Sequence, residues 1–308
     1  MPMYGSVGIK RLSLRARLIR LALRFLFKRR IQADTPLPVA RRQMQVIAKL
    51  VPRPPRTTRT VTLDAGGVAV DCIATAGSRS DRHVLYCHGG GYLFGSPALY
   101  RDLTWRIAAA ARAQVLCMDY RLAPAHPFPA AVDDIIKAYR WLLDEGGAPG
   151  RIAFMGDSSG GGLALATLLK LRDEGLPLPA AAVVISPWTD LALTGESLRT
   201  NAAIEPMIPV AVLAVAADRY LAGADPRHPY ASPLYGNPAG LPPTLILVGG
   251  DEVLRDDAVR MADTMRAAGC DVGIEIWAGM FHAWPLYARV MPEARPAKAP
   301  IGAFLEER

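Results

Sequence analysis

The residues of this chain whose types and spacing could do chemistry form two short motifs. One is a glycine loop, His88-Gly89-Gly90-Gly91-Tyr92; the other is a turn of the pattern G-x-S-x-G, Gly156-Asp157-Ser158-Ser159-Gly160. Each follows an apolar run, Val84-Leu85-Tyr86-Cys87 and Ile152-Ala153-Phe154-Met155, and the second motif leads into Leu163-Ala164-Leu165-Ala166. A strand–turn–helix setting would put the Ser158 hydroxyl at the C-terminal edge of a sheet, beside the positive end of a helix. Attack that creates a negative oxygen is favoured there. The glycines leave backbone N–H groups unshielded, and one donor aimed at that oxygen contributes about 2.7–4 kcal/mol to the transition state. Taken singly, a glycine turn and a serine helix cap account for these patterns. Their pairing in this order points to acyl transfer.

A serine hydroxyl is too weak an acid to attack unaided; it needs a base, and the base needs an acid to fix its tautomer. The histidines are His83, His88, His126, His228 and His282. His88 belongs to the glycine loop, His83 opens a strand-like run, and His126 and His228 sit in Pro-rich stretches before the last strands. His282 follows the run Ile274-Glu275-Ile276-Trp277 and is the histidine in the place that the chain order Ser, Asp/Glu, His requires. The acid should stand at the end of Thr244-Leu245-Ile246-Leu247-Val248, where Asp251 is the expected residue; Glu252, Asp256 and Asp257 are its neighbours. The last two fall on the following helix, where a charged pair suits a solvated face. The expected triad is therefore Ser158, Asp251 and His282. Tyr92 and Trp188 are the aromatics expected to line a substrate pocket.

Positioning such residues requires a large, layered scaffold, and the rest of the chain reads as one. Strand-like runs at Gly67–Ala74, His83–His88, Gln114–Asp119, Arg151–Gly156, Ala181–Ser186, Thr244–Gly249 and Val272–Trp277 alternate with helix-like runs. The latter are Leu99–Arg112, Ala130–Glu145, Ser159–Glu174 and Val253–Ala268. The pattern predicts an α/β fold with a mostly parallel sheet covered on both faces. Residues 191–241 break the rhythm with a helix-like run, Ile208–Leu221, and Pro- and Tyr-rich loops, and read as an insertion over the sheet. Residues 51–60 read as a Pro-rich linker.

Composition narrows the function classes. The 308 residues carry 36 Lys and Arg against 28 Asp and Glu, a formal charge of +8. Nine of the bases lie within the first thirty residues, which hold no acid, so the remainder balances 27 bases against 28 acids. A neutral body argues against a nucleic-acid partner. Residues 12–30 read as a basic amphipathic helix, with Leu14, Leu18, Leu21 and Phe25 on one face and Arg17, Arg20, Arg24 and Lys28 opposite. Its apolar face is expected to be buried against the protein; weak membrane contact through residues 10–30 is the competing reading. No apolar run is long enough for a membrane span. The four cysteines (Cys72, Cys87, Cys117, Cys270) have no C-x-x-C spacing and read as thiols of a reducing, cytoplasmic compartment. No metal-ligand spacing and no phosphate loop appear, so no cofactor and no metal are expected.

With these residues in view, the chain resembles the bacterial hormone-sensitive-lipase-like esterases of the α/β-hydrolase fold. The resemblance is carried by His88–Tyr92, Asp119-Tyr120-Arg121-Leu122-Ala123-Pro124 with His126-Pro127-Phe128-Pro129, and Gly156–Gly160. It extends to Ser186-Pro187-Trp188-Thr189-Asp190, Ala231-Ser232-Pro233, Asp251 with Leu254, and Gly279–His282. It implies an eight-stranded sheet and a single domain over 1–308, with cap elements about 1–50 and 191–241 above a catalytic core about 60–190 and 242–308. It implies an oxyanion hole from the N–H groups of Gly90, Gly91 and Ser159, and short acyl groups as substrates. Two positions depart from the family: Ser159 stands where alanine is usual, and Ala125 where glutamate is usual. The expected function is a carboxylic-ester hydrolase acting on a small-molecule ester through an acyl-enzyme. The alternatives are a lactone hydrolase with the same triad and, from another class, a non-catalytic membrane-surface binding protein. A homodimer is compatible with either class.

Overall fold

The computed structural model describes residues 5–8 and 12–308. Lys10 and Arg11, the first bases of the N-terminal basic segment, lie outside the described residues. The strands are β1 (Gly5–Val7), β2 (Arg59–Asp64), β3 (Ala69–Ala74), β4 (Arg79–Cys87), β5 (Ala113–Met118), β6 (Ile152–Asp157), β7 (Ala181–Ile185), β8 (Thr244–Gly249) and β9 (Val272–Trp277). They form one sheet in the order β1-β9-β8-β7-β6-β4-β5-β3-β2. The pairs β2–β3 and β3–β5 are antiparallel and every other pair is parallel.

The expected architecture is present, with a three-residue edge strand, β1, added beside β9. β7 and β8 are buried along their whole length, as parallel strands covered on both faces must be. β2 begins inside the stretch that reads as a linker. It is an outer strand with mostly exposed residues, Arg59-Thr60-Val61-Thr62-Leu63-Asp64, so no apolar run marks it.

Helices cover the sheet as α1 (Leu14–Leu23), α2 (Leu37–Leu50), α3 (Pro97–Ala111), α4 (Ala130–Asp144), α5 (Ser159–Asp173), α6 (Ser197–Thr200), α7 (Val210–Leu221), α8 (Arg255–Ala267) and α9 (Lys298–Glu306). One apolar cluster joins the sheet to α4, α5, α7 and α8, and a second joins it to α3 and α9 and to Ala16 and Leu23 of α1. Residues 191–241 contain no strand, and Ala216 of α7 lies against the glycine loop: a Cβ on Gly91 would stand 3.4 Å from the Ala216 Cβ.

The N-terminal helix is oriented the other way from the expectation. Its leucine face points outward, and of the basic face Arg20, Arg24 and Lys28 are bound to the protein while Arg17 is exposed. Arg20 donates to the Gly279 and Ile204 carbonyls, Arg24 to Ala203, and Lys28 to Ala202 and Glu205. A cation bound to several carbonyls gains charge-assisted hydrogen bonds that exposed leucines cannot match at so small a contact. Only Ala16 and Leu23 of α1 are buried.

The register brings the chemistry to one edge. Cys87 pairs with Gly156, Asp157 with Ile185, Ile185 with Leu247, and Gly249 with Trp277. The turns that follow β4, β6, β7, β8 and β9 therefore open side by side at the C-terminal edge, carrying the glycine loop, Ser158, Ser186, residues 250–252 and His282.

Candidate active site

The turn after β6 places Ser158 at φ 55° and ψ −127°, a backbone conformation that L-residues rarely adopt. The N–H of Ser158 donates to the Ile185 carbonyl and its own carbonyl accepts from Gly162 and Trp188. The flanking glycines are required by close approach. A Cβ on Gly160 would collide with the Cys87 carbonyl, and one on Gly156 with the Gly160 carbonyl. Ser159 opens α5, where an N–H has no intrahelical acceptor.

The glycine loop is tied to this turn. Asp157 accepts from Tyr86 Oη at 2.8 Å, the Gly89 N–H at 3.0 Å and Tyr100 Oη at 3.2 Å. Burial pushes the Asp157 carboxyl up to about 6, although these donors favour its ionised form. Ser159 Oγ accepts from the Tyr92 N–H at 3.3 Å, so the hydroxyl that departs from the family pins the far end of the loop. His88 stacks on Tyr120 and Tyr100 with its Nδ1 2.8 Å from the Gly89 carbonyl, and burial lowers it to about 4. His88 therefore braces the loop as a neutral ring. Gly90 and Gly91 sit at φ 126° and 59°, and their N–H groups donate to no protein acceptor among the described residues.

The structure brings Glu252, and not Asp251, against His282. His282 Nδ1 lies 3.0 Å from Glu252 Oε2, and both side chains are buried. The second Glu252 oxygen accepts from Ser186 Oγ at 2.6 Å and from the Gly249 N–H at 2.5 Å. Ser186 Oγ in turn accepts from the Ala283 N–H at 3.0 Å, so one hydroxyl braces both the acid and the histidine turn. Asp251 faces the other way: its carboxylate is a quarter exposed and pairs with Arg20 at 2.8 Å. The cause is local. The Gly250 N–H bonds to the Trp277 carbonyl and the Asp251 N–H to Met280. This turns Asp251 outward and leaves the longer glutamate side chain to reach back under the sheet edge. Asp256 holds the Ser197 N–H and Asp257 those of Thr189 and Asp190, so both are structural.

His282 has a second acidic neighbour that the sequence reading missed. Glu205, from the loop after α6, is fully buried and accepts from the His282 N–H at 3.2 Å and the Met207 N–H at 2.9 Å. Burial pushes Glu205 up to about 7, against the favourable charge of His282. Burial also disfavours the charged His282 ring, but the Glu252 hydrogen bond and charge, with the charges of Glu205 and Asp157, outweigh it and raise His282 above the ordinary histidine value. With Nδ1 turned to Glu252, the neutral ring carries its proton there and leaves the Nε2 lone pair to accept another. No local sequence signal marks Glu205, because it reaches the site through a loop.

Tyr92 and Trp188, the aromatics expected to line a substrate pocket, pack inward. Tyr92 stacks on Tyr220 with ring centroids 3.7 Å apart, and the Trp188 Nε1–H donates to the Asp190 carbonyl at 3.1 Å. Both rings are buried in the apolar cluster beneath α7. A cavity of about 740 Å³ lies beside α2, lined by residues including Arg41, Met44, Phe94, Tyr120 and His126. Its lining includes none of Ser158, Glu252 and His282, so it is not the reacting centre.

A paired serine turn and glycine loop at the edge of a mostly parallel sheet, with a histidine and a carboxylate on the last turns, define an α/β hydrolase. A family model for the alpha/beta hydrolase fold matches residues 84–286, and the chain belongs to that family. It is 53% identical over 224 residues to an acetyl-hydrolase of Streptomyces hygroscopicus, covering 73% of this chain and 75% of the relative. It is 34% identical over 266 residues to the carboxylesterase/phospholipase LipF of Mycobacterium tuberculosis, covering 83% and 71%. Among solved structures, an esterase from the bacterial hormone-sensitive lipase family matches with TM-score 0.90 and 43% identity over 96% of this chain and 98% of that one. EstE5 soaked with p-nitrophenyl butyrate matches with TM-score 0.90 and 40% identity over the same shares. Within the fold family, the chain is a member of the bacterial hormone-sensitive-lipase group.

Proposed function

We propose that the chain is a serine carboxylesterase in which Ser158, His282 and Glu252 form the triad, with Glu252 in the place the sequence reading gave to Asp251. The observation that carries this reading is the buried 3.0 Å contact between His282 Nδ1 and Glu252 Oε2. Ser158 Oγ attacks the ester carbonyl carbon while His282 Nε2 takes the hydroxyl proton. The tetrahedral oxyanion is held by the N–H groups of Gly90, Gly91 and Ser159, and the new imidazolium is stabilised by Glu252. Collapse breaks the bond to the alcohol, which leaves with the proton from His282 Nε2 and leaves an acyl-Ser158. A water molecule then gives a proton to Nε2 and attacks the acyl carbon; the acid departs and Ser158 regains its proton.

The relatives support small acyl groups, because one is named an acetyl-hydrolase and another was soaked with a butyrate ester. Residues 191–241 act as a cap in this reading, supported by the placement of α7 on the glycine loop and of Glu205 on His282. The four cysteines are all free thiols, which supports a reducing compartment such as the cytoplasm. No helix among the described residues is long and apolar enough to cross a membrane.

Fluorophosphonate labelling tests the proposal. Mass spectrometry should find one adduct, on the peptide holding Ser158, and Ser158→Ala should lower kcat on an activated ester by roughly 10⁴-fold or more with the fold intact. A Ser158→Ala protein that kept a tenth of the turnover would refute it.

A further inference from the structure

The N-terminal helix holds the protein with its cations and shows solvent its apolar side. Leu14, Leu18, Leu21 and Phe25 recur at one face and are 72%, 56%, 51% and 47% exposed. Leu26 adds to them, and α2 likewise turns Val39, Val46 and Leu50 outward. The stripe cannot roll inward, because Arg20, Arg24 and Lys28 are committed to five carbonyls and to Asp251 on the opposite side. At about 100° per residue, Arg15 and Arg17 fall on either side of the stripe. Both are exposed, as are Arg29, Arg30 and Arg42, and none of the five has an acidic partner among the described residues. Asp34 is the single acid between residues 12 and 50.

We propose that this face docks on an anionic lipid surface. The helix lies in the plane of the interface, its leucines and Phe25 enter the acyl boundary, and Arg15 and Arg17 reach sideways to the headgroups. Charge complementarity selects this occupant. A second copy paired about a two-fold axis would bring the same unpaired cations together, with no acid to answer them. A bilayer containing anionic lipid supplies both the apolar depth and the counter-charge. Docking does not depend on the reaction proposed above, since none of these side chains belongs to the triad.

The test is co-sedimentation with vesicles of phosphatidylcholine holding about a third phosphatidylglycerol, against pure phosphatidylcholine, at low salt and at about 0.5 M salt. The whole protein should bind the anionic vesicles, spare the neutral ones and be released by salt. Leu18→Gln/Leu21→Gln/Phe25→Gln should weaken partitioning by at least ~100-fold, and Arg15→Gln/Arg17→Gln by ~20-fold. Melting temperature should stay within a few degrees of wild type and hydrolysis of a soluble aryl acetate at its wild-type value, because the changed side chains are exposed and none touches the triad. Any of three results overturns the proposal: no binding of the wild type, equal binding to neutral vesicles, or a dimer in sedimentation velocity that the triple variant dissolves while vesicles are ignored.

Discussion

Glu205→Gln isolates the influence of the second buried carboxylate on His282. The wild-type ring faces Glu252, Glu205 and Asp157, and Lys28 both donates to the Glu205 backbone carbonyl and feels the Glu205 charge. Two unit charges about 6 Å apart at an effective dielectric of about 20 interact by about 2.8 kcal/mol, or about two pKa units, which sets the upper scale of the effect. Burial pushes Glu205 up to about 7, which lowers its ionised fraction near neutral pH and reduces the effect. A shift of about one unit is expected on that account. The sign follows from the role of the ring. The free enzyme needs neutral His282, so kcat/KM rises as pH passes a value above the ordinary 6.5 of histidine. Removing a negative neighbour lowers that value, moves the rise to lower pH and leaves the variant with a larger fraction of its maximum at mildly acidic pH. The assay is kcat/KM for a soluble aryl acetate across the acid and neutral range, with Glu205→Asp as the charge-keeping control. A Glu205→Gln profile that stays in place or moves to higher pH, in a protein with wild-type secondary structure, would refute the reasoning.

Three further outcomes follow from the same geometry. Lys28→Met should lower Tm and kcat together, because Lys28 ties the π-helical turn Arg24–Lys28 that follows α1 to the loop that delivers Glu205; unchanged values of both would detach this segment from the site. Deleting residues 1–30 should cost more in both measures, since Arg20 and Arg24 are lost as well, and a truncated enzyme with wild-type Tm and turnover in vesicle-free buffer would contradict that. Across aryl esters of rising acyl length, kcat/KM should peak at acetyl to butyryl and fall beyond, and efficient hydrolysis of insoluble long-chain triglyceride would speak against the small-acyl reading.

Much of this arrangement is legible in the sequence. Apolar strand runs followed by small residues marked the turns after β4, β6, β8 and β9. The chain order of nucleophile, acid and base then singled out Ser158 and His282. What stayed hidden was set by contacts that a linear reading cannot see. Asp251 and Glu252 are adjacent, and the choice between them depends on how the turn's amides bond to Trp277 and Met280 and on Arg20 arriving from the other end of the chain. Glu205 reaches His282 through a loop with no periodicity of its own. The spacing of leucines marks α1 as amphipathic, but which side faces the protein depends on carbonyls at residues 202–205 and 279. Tyr92 and Trp188 stand on turns at the sheet edge, but their side chains pack inward, where Tyr220 and the Asp190 carbonyl meet them.

The central claim is that Glu252, and not its neighbour, orients the catalytic histidine. The direct measurement is kcat for Glu252→Gln beside Asp251→Asn on one activated ester, with circular dichroism to confirm that both fold. The account predicts a fall of roughly 10⁴-fold for Glu252→Gln, since the amide offers the ring the wrong hydrogen-bond partner, and less than about tenfold for Asp251→Asn, which loses only a partly exposed pair with Arg20. A large loss at Asp251 with Glu252→Gln near wild type would contradict it.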